Sequence, residues 1–306
     1  KQKGITADTP QGSDASQGSI LKPLELQRPI AYLGPVSIRG ERGVLIKVQR
    51  HAVGLDVGAG LISDEEGFLQ FFTGTLSKKN AREMEQEMFQ GAGPMVETPI
   101  AYVISLLEKA YQCHAPSGTT APADYLELRP WLLENISADS RPPIYEALDP
   151  GSVPQEATIT DSQLEKLFGH PLLQAWVLGP DELQGLTAQL KELSDSPLVL
   201  SEVQQGEREE GIKGQFMESS FPNEKRALLK QRLEEMAHLF LKTDGEELAR
   251  LSLRAALTVA QEDFQIHRNP VIHFLLERSL DLFRDVRKDS DSEQTEKQES
   301  PSLIVP

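Results

Sequence analysis

"GLDVGAGLISDEEGF", residues 54–68, admits two readings, and they lead to different proteins. As a glycine-rich loop closing on a phosphate, it marks a nucleotide-dependent enzyme. As a strand running into a tight turn, it fixes a sheet and says little about chemistry. The spacing favours the strand. Val53, Leu55, Val57, Ala59 and Leu61 take every second position, which puts them on one face of an extended chain. Gly54, Asp56, Gly58 and Gly60 lie between them, so the other face is almost bare and lets a helix or another backbone approach closely. Ser63-Asp64-Glu65-Glu66-Gly67 then supplies turn residues, with glycine where a short hairpin needs positive φ.

Upstream, Val44, Ile46 and Val48 alternate with Leu45, Lys47 and Gln49 as a second strand. Downstream, Phe68 to Thr73 return from the turn. Strict alternation predicts Phe68 and Phe72 on one face, with Leu69 and Phe71 on the other. Short strands joined by tight loops form an antiparallel meander. Two helices close this unit. Ser77 caps one carrying Ala81, Met84 and Met88. Thr98-Pro99 starts the next, Thr as N-cap and Pro at the first helical position. Its stripe of Ile100, Val103, Ile104, Leu107 and Tyr111 should seat it on the sheet, since burying one such side chain is worth about 1.5–3 kcal/mol.

Past Leu126 only helical spacing remains, interrupted by Pro142, Pro143, Pro150 and Pro154. Thr160-x-x-Gln163 is a capping box ahead of Leu164, Leu167 and Phe168. Leu183, Leu186, Leu190 and Leu193 form a stripe after Gly179-Pro180. Asn223 opens a helix with Leu229, Leu233, Met236 and Phe240. Asp244-x-x-Glu247 caps one with Leu248, Leu251 and Ala255, and Asn269-Pro270 starts one with Ile272, Leu276 and Phe283. Consecutive amphipathic helices with short joints pair as hairpins. The expected fold class is α+β: an N-terminal antiparallel β-meander with two helices, followed by an all-α helical-hairpin region. The expected order is a flexible arm (1–28), the sheet domain (29–113), a Pro-rich connection with a short helix (114–160), an all-α domain (161–287) and a disordered acidic tail (288–306).

The chain has 306 residues, 39% of them hydrophobic, enough for a real core. No apolar run approaches the ~18 residues of a membrane span, and no secretory leader is visible, so no membrane partner is expected. Formal net charge is −16, and basic runs are as short as Lys78-Lys79 and Lys225-Arg226. A chain this acidic repels a phosphate backbone, which argues against direct nucleic-acid binding. Cys113 is the only cysteine, which excludes an internal disulfide and a cysteine zinc finger and agrees with a reducing cytoplasm.

"VGLDVGAG" resembles the first phosphate-contacting loop of the actin/Hsp70/sugar-kinase superfamily. That resemblance implies Asp56 orienting a metal-bound water, with Gly58 and Gly60 admitting the phosphate. The chain departs from the pattern: Leu61-Ile62 run directly into the acidic turn, and no second loop of that type follows. Rossmann and Walker patterns are absent too. Glu235-x-x-His238 puts a carboxylate and an imidazole on one helix face, and His273-x-x-x-Glu277, with His267 nearby, could complete a zinc site from Glu235, His238 and His273. Such a histidine is more often buried beside a structural acid. Cys113-His114 are neighbours in sequence, which does not make them a catalytic pair. Glu83, Glu85, Glu87, Glu207, Glu209 and Glu210 read as solvated faces.

The succession "KQKGI", "YLGPVSIRGERGVLIKVQ", "SDEEGF", "VETPIAYVISLLEKAY", "YLELRPWL" and "NPVIHFLLERSLDLF" resembles a bacterial family of unassigned activity with a small sheet domain before helices. The resemblance implies that layout, with "KQKGI" as the tail of an upstream helix, and no activity. The sequence therefore predicts a non-enzymatic cytoplasmic interaction or scaffold protein, without a cofactor, presenting a helical surface to a protein partner, a basic one by charge. The alternatives are a metal- or nucleotide-dependent hydrolase and an RNA-associated regulator, the latter requiring a basic patch on the folded surface.

Overall fold

The computed structural model describes residues 28–50, 54–91, 93–149, 158–196, 201–261 and 265–298, with side chains as far as Arg284. Strands β1 (Ile30–Leu33), β2 (Glu41–Val48), β3 (Leu55–Ser63) and β4 (Gly67–Leu76) form an antiparallel meander. A three-residue strand, β5 (Val96–Thr98), pairs with the free side of β1 and completes the order β4-β3-β2-β1-β5. Gly67 closes the β3–β4 turn at φ +87°, as the turn chemistry requires.

The two faces of β3 separate as the alternation predicts. Leu55, Val57 and Ala59 point one way with Leu45 of β2 and pack against α1 (Lys78–Gly91) through Ala81, Met84 and Met88. Val53 lies outside the described residues. Towards the bare face come α2 (Ile100–Ser117) and α3 (Ala123–Asn135), which bury Val103, Leu107, Tyr125 and Leu128 against Val44, Ile46 and Ile62. A Cβ on Gly58 would lie 3.0 Å from both Leu128 and Phe71, and one on Gly60 only 2.1 Å from the Gln70 carbonyl oxygen. The missing side chain at Gly58 lets the second layer close, and that at Gly60 lets the β4 backbone approach β3.

One expectation about β4 is corrected. Phe68 and Phe71 share the α2/α3 face, while Phe72 is 47% exposed. The register shifts as Leu61 opposes Gln70 but Ile62 opposes Phe68, so Leu69 is an extra residue that inverts the alternation. Another correction concerns Thr98. It ends β5, its hydroxyl donating to the Val96 carbonyl at 3.0 Å, and Pro99 takes the N-cap position of α2. The outer edge of β4 is tied by side chains: the Phe68 amide donates to His114 Nε2 (3.0 Å) and the Thr73 amide to Asp124 (2.8 Å).

After α4 (Ile144–Ala147) the described chain is helical: α5 (Asp161–Phe168), α6 (Pro180–Ser194), α7 (Glu202–Ser220), α8 (Asn223–Thr243), α9 (Glu246–Val259) and α10 (Pro270–Gln298). The Thr160/Gln163 capping box forms, and Asn269 Oδ1 accepts from the first amides of α10. Asp244 differs from expectation. It ends α8 while Gly245, at φ +101°, precedes α9, and its carboxylate lies 3.2 Å from His170. The helical core centres on Leu233, Met236 and Phe240 of α8 with Leu253 and Ala256 of α9. It joins the sheet unit through Trp176, whose indole N–H donates to the Val36 carbonyl at 3.1 Å. Among the described residues no helix is long and apolar enough to cross a membrane.

Candidate functional site

The seam between the sheet and α8 concentrates buried charge. Arg42, 2% exposed, continues the inward row of Val44 and Ile46. Its guanidinium meets Asp64 of the hairpin turn at 2.6 Å and Glu235 of α8 at 3.0 Å. Arg232 holds Asp64 from the other side and adds Glu65 at 2.5 Å and the Ile38 carbonyl. Glu235 Oε1 also accepts from the Tyr102 hydroxyl and from Gln231, each at 2.8 Å. Burial and the adjacent Glu235 carboxylate push the Tyr102 phenol well above its ordinary pKa, so it serves as a neutral donor. Charges leave water at tolerable cost only when paired and hydrogen-bonded, and both buried carboxylates meet a guanidinium here. This arrangement locks geometry. It directs the acceptor capacity of Asp64 and Glu235 at the protein itself.

At the opposite end of β3, Asp56 accepts from Arg50 Nε at 2.9 Å and from the Thr75 hydroxyl at 2.6 Å. Burial alone would raise its pKa, but hydrogen bonds from Arg50 and Thr75 outweigh that and hold it below the usual carboxylate range. Asp56, Gly58 and Gly60 lie in continuous strand, with Phe71 and Leu128 over the glycines.

His238 is 5% exposed and sits on α8, three residues beyond Glu235. Its Nε2 lies 3.5 Å from the Glu97 carbonyl, and its Nδ1 has no hydrogen-bond partner among the described residues. Burial depresses its pKa, so the ring is held neutral. It lines a cleft of about 570 Å³ with Glu97, Glu146 and Lys242. His273 belongs to a different cluster: its ring, Glu277 and Glu210 of α7 offer ligand atoms within 4.8 Å of one another. That cluster contains neither Glu235 nor His238. The Lys213 ammonium lies 2.7 Å from Glu277 and 3.3 Å from Glu210, and a metal there would have to displace it. His267 faces Glu218 at 3.6 Å. Cys113 and His114 find separate partners, the Lys109 carbonyl and the Phe68 amide.

Sequence reasoning passed over Arg42, Tyr102 and Arg232. Arg42 had a signal, because an arginine in register with Val44 and Ile46 on an inward row demands a carboxylate. Searches with protein-family models, curated proteins and solved structures find no match to the chain.

Proposed function

We propose that this is a non-enzymatic cytoplasmic interaction protein whose helical surface, formed by α6 and α7, receives a basic protein partner. The observation that carries the reading is the first half of α7. Residues Glu202–Glu210 bury no side chain, and Val203 is 71% exposed. A helix gains most of its stability by packing an apolar face, and this half has instead a capping box from Ser201 and Gln204 and, at its end, the Glu210–Lys213 contact. Gly206 and Gly211 each weaken the helix by about 1 kcal/mol relative to alanine, although no described residue lies within 4 Å of where their Cβ atoms would be. Open helical surface with room for close approach suits a partner helix. Glu202 and Glu207, both exposed, favour a basic one, with association weakening as salt rises.

The test is affinity capture at low and high salt with the unaltered chain and with Glu207→Lys. A specific basic protein retained at low salt, and lost with the charge-reversed chain, supports the reading. No reproducible partner, or equal capture by both chains, refutes it.

A further inference from the structure

Among the described residues, the sheet face opposite α2 is covered by one helix, α1, which leaves part of it open. α1 is pinned by the Lys47 ammonium, which meets Glu85 at 2.6 Å and lies over the Tyr32 ring at 4.8 Å. Tyr32 in turn packs edge-on against Phe89. Between α1 and the neighbouring strand ends lies a cleft of about 450 Å³. Its apolar surface comes from Ile30, Leu55, Ala81 and Phe89. Its charge comes from Arg28, Lys47, Lys78 and Arg82, opposed among the described lining residues only by Glu85, which Lys47 already engages. On a chain of net charge −16, this convergence runs against the overall potential.

The sequence of α1 breaks two local rules at the same place. Lys78 and Arg82 stand four apart in its first turns, where like charges repel. The first turn carries no acid, so Lys78 also opposes the helix dipole. Among the described residues neither forms an ion pair, nor does Arg28, whereas the outward Lys79 is paired with Glu83 at 3.6 Å. An anion in the cleft reverses both unfavourable terms. Local rules broken beside a cavity are the mark of a binding site.

We infer that this cleft binds a small phosphate-bearing molecule with an apolar or aromatic body. A phosphate dianion matches lysine point charges and an arginine fork together, and the volume is that of a small-molecule site. The apolar surface requires more than inorganic phosphate. A nucleic-acid strand would need a basic track continuing past the cleft, and Glu83 and Glu87 on the exposed side of α1 carry the wrong sign. The site belongs to the sheet rather than to the α6–α7 surface, and its ligand is independent of any partner there.

The experiment is calorimetric titration of the full chain with phenyl phosphate, adenosine 5′-monophosphate, inorganic phosphate, adenosine and a single-stranded RNA. Both monoesters should bind, each more tightly than inorganic phosphate, and adenosine should not. In Lys78→Gln/Arg82→Gln, affinity should fall at least about tenfold, while unliganded melting stays level or rises. Arg82→Gln alone should give a smaller loss, and Lys79→Gln none. The inference is overturned if no phosphate probe binds, if adenosine binds as well as its monophosphate, or if the double variant keeps its affinity. RNA binding more tightly than either monoester overturns it as well.

Discussion

The two faces of the sheet teach opposite lessons about the same strands. Behind Gly58, α2 and α3 bury Phe68 and Phe71 beneath Tyr125 and Leu128, and at the turn end Arg42 and Arg232 tie the sheet to α8. On the other face α1 rests on a small cluster around Leu45 and Val57 and leaves a charged cleft beside it. One face is sealed by packing and paired charge; the other keeps cations without an ion-pair partner among the described residues. Stability belongs to the first and recognition to the second.

Substitutions can break or sharpen that contrast. Asp64→Ala removes the acceptor between two buried guanidinium groups and should destabilise by about 3–5 kcal/mol, read as a fall in the denaturant midpoint. A loss below about 1 kcal/mol would show that the seam does not hold the sealed face. Gly60→Ala drives a methyl into the β4 backbone and should cost about 1–3 kcal/mol. Gly74→Ala, on the same sheet with no described residue within 4 Å of the added Cβ, should stay within about 0.5 kcal/mol.

pH sharpens the comparison next. Burial depresses the His238 pKa, so the folded chain binds fewer protons than the unfolded one below about pH 6.5. The stability linked to this residue is therefore complete above that value and is lost as pH falls through the folded pKa. The slope is at most about 1.4 kcal/mol per pH unit. Thermal melts of His238→Gln between mildly acidic and neutral pH should be flatter, and an unchanged slope would assign the dependence to other groups. The smallest effect lies on the open face. Lys78→Gln should stabilise the unliganded protein by about 0.3–1 kcal/mol at low salt, and added salt should erase the gain.

Much of this fold was legible because it rests on local rules. The alternation of Leu55, Val57 and Ala59, the positive φ of Gly67 and the caps at Thr160 and Asn269 depend on residues a few positions apart. The α+β class followed from them. What stayed hidden depends on distant partners or on missing pattern. The bulge at Leu69 leaves no trace in an alternating apolar run, yet it exchanges the fates of Phe71 and Phe72. α7 has no apolar stripe, so its carboxylates read as a solvated stretch rather than as a helix. Arg42 and Glu235 are 193 residues apart in sequence, and only the folded chain joins them. The candidate cleft was not legible: Lys78-Lys79 counts only as a short basic run, and bringing Lys78 and Arg82 together with Arg28 and Lys47 required the sheet.

The side chains along β4 have one more consequence. A long edge strand with open amides is a template on which another copy of the chain can polymerise. His114 and Asp124 occupy the amides of Phe68 and Thr73, and the opposite edge, β5, offers only three residues. Two side chains from the helices that seal one face thus also guard the sheet's flank against fibril growth, the hazard that the exposed Phe72 on the same strand would otherwise invite.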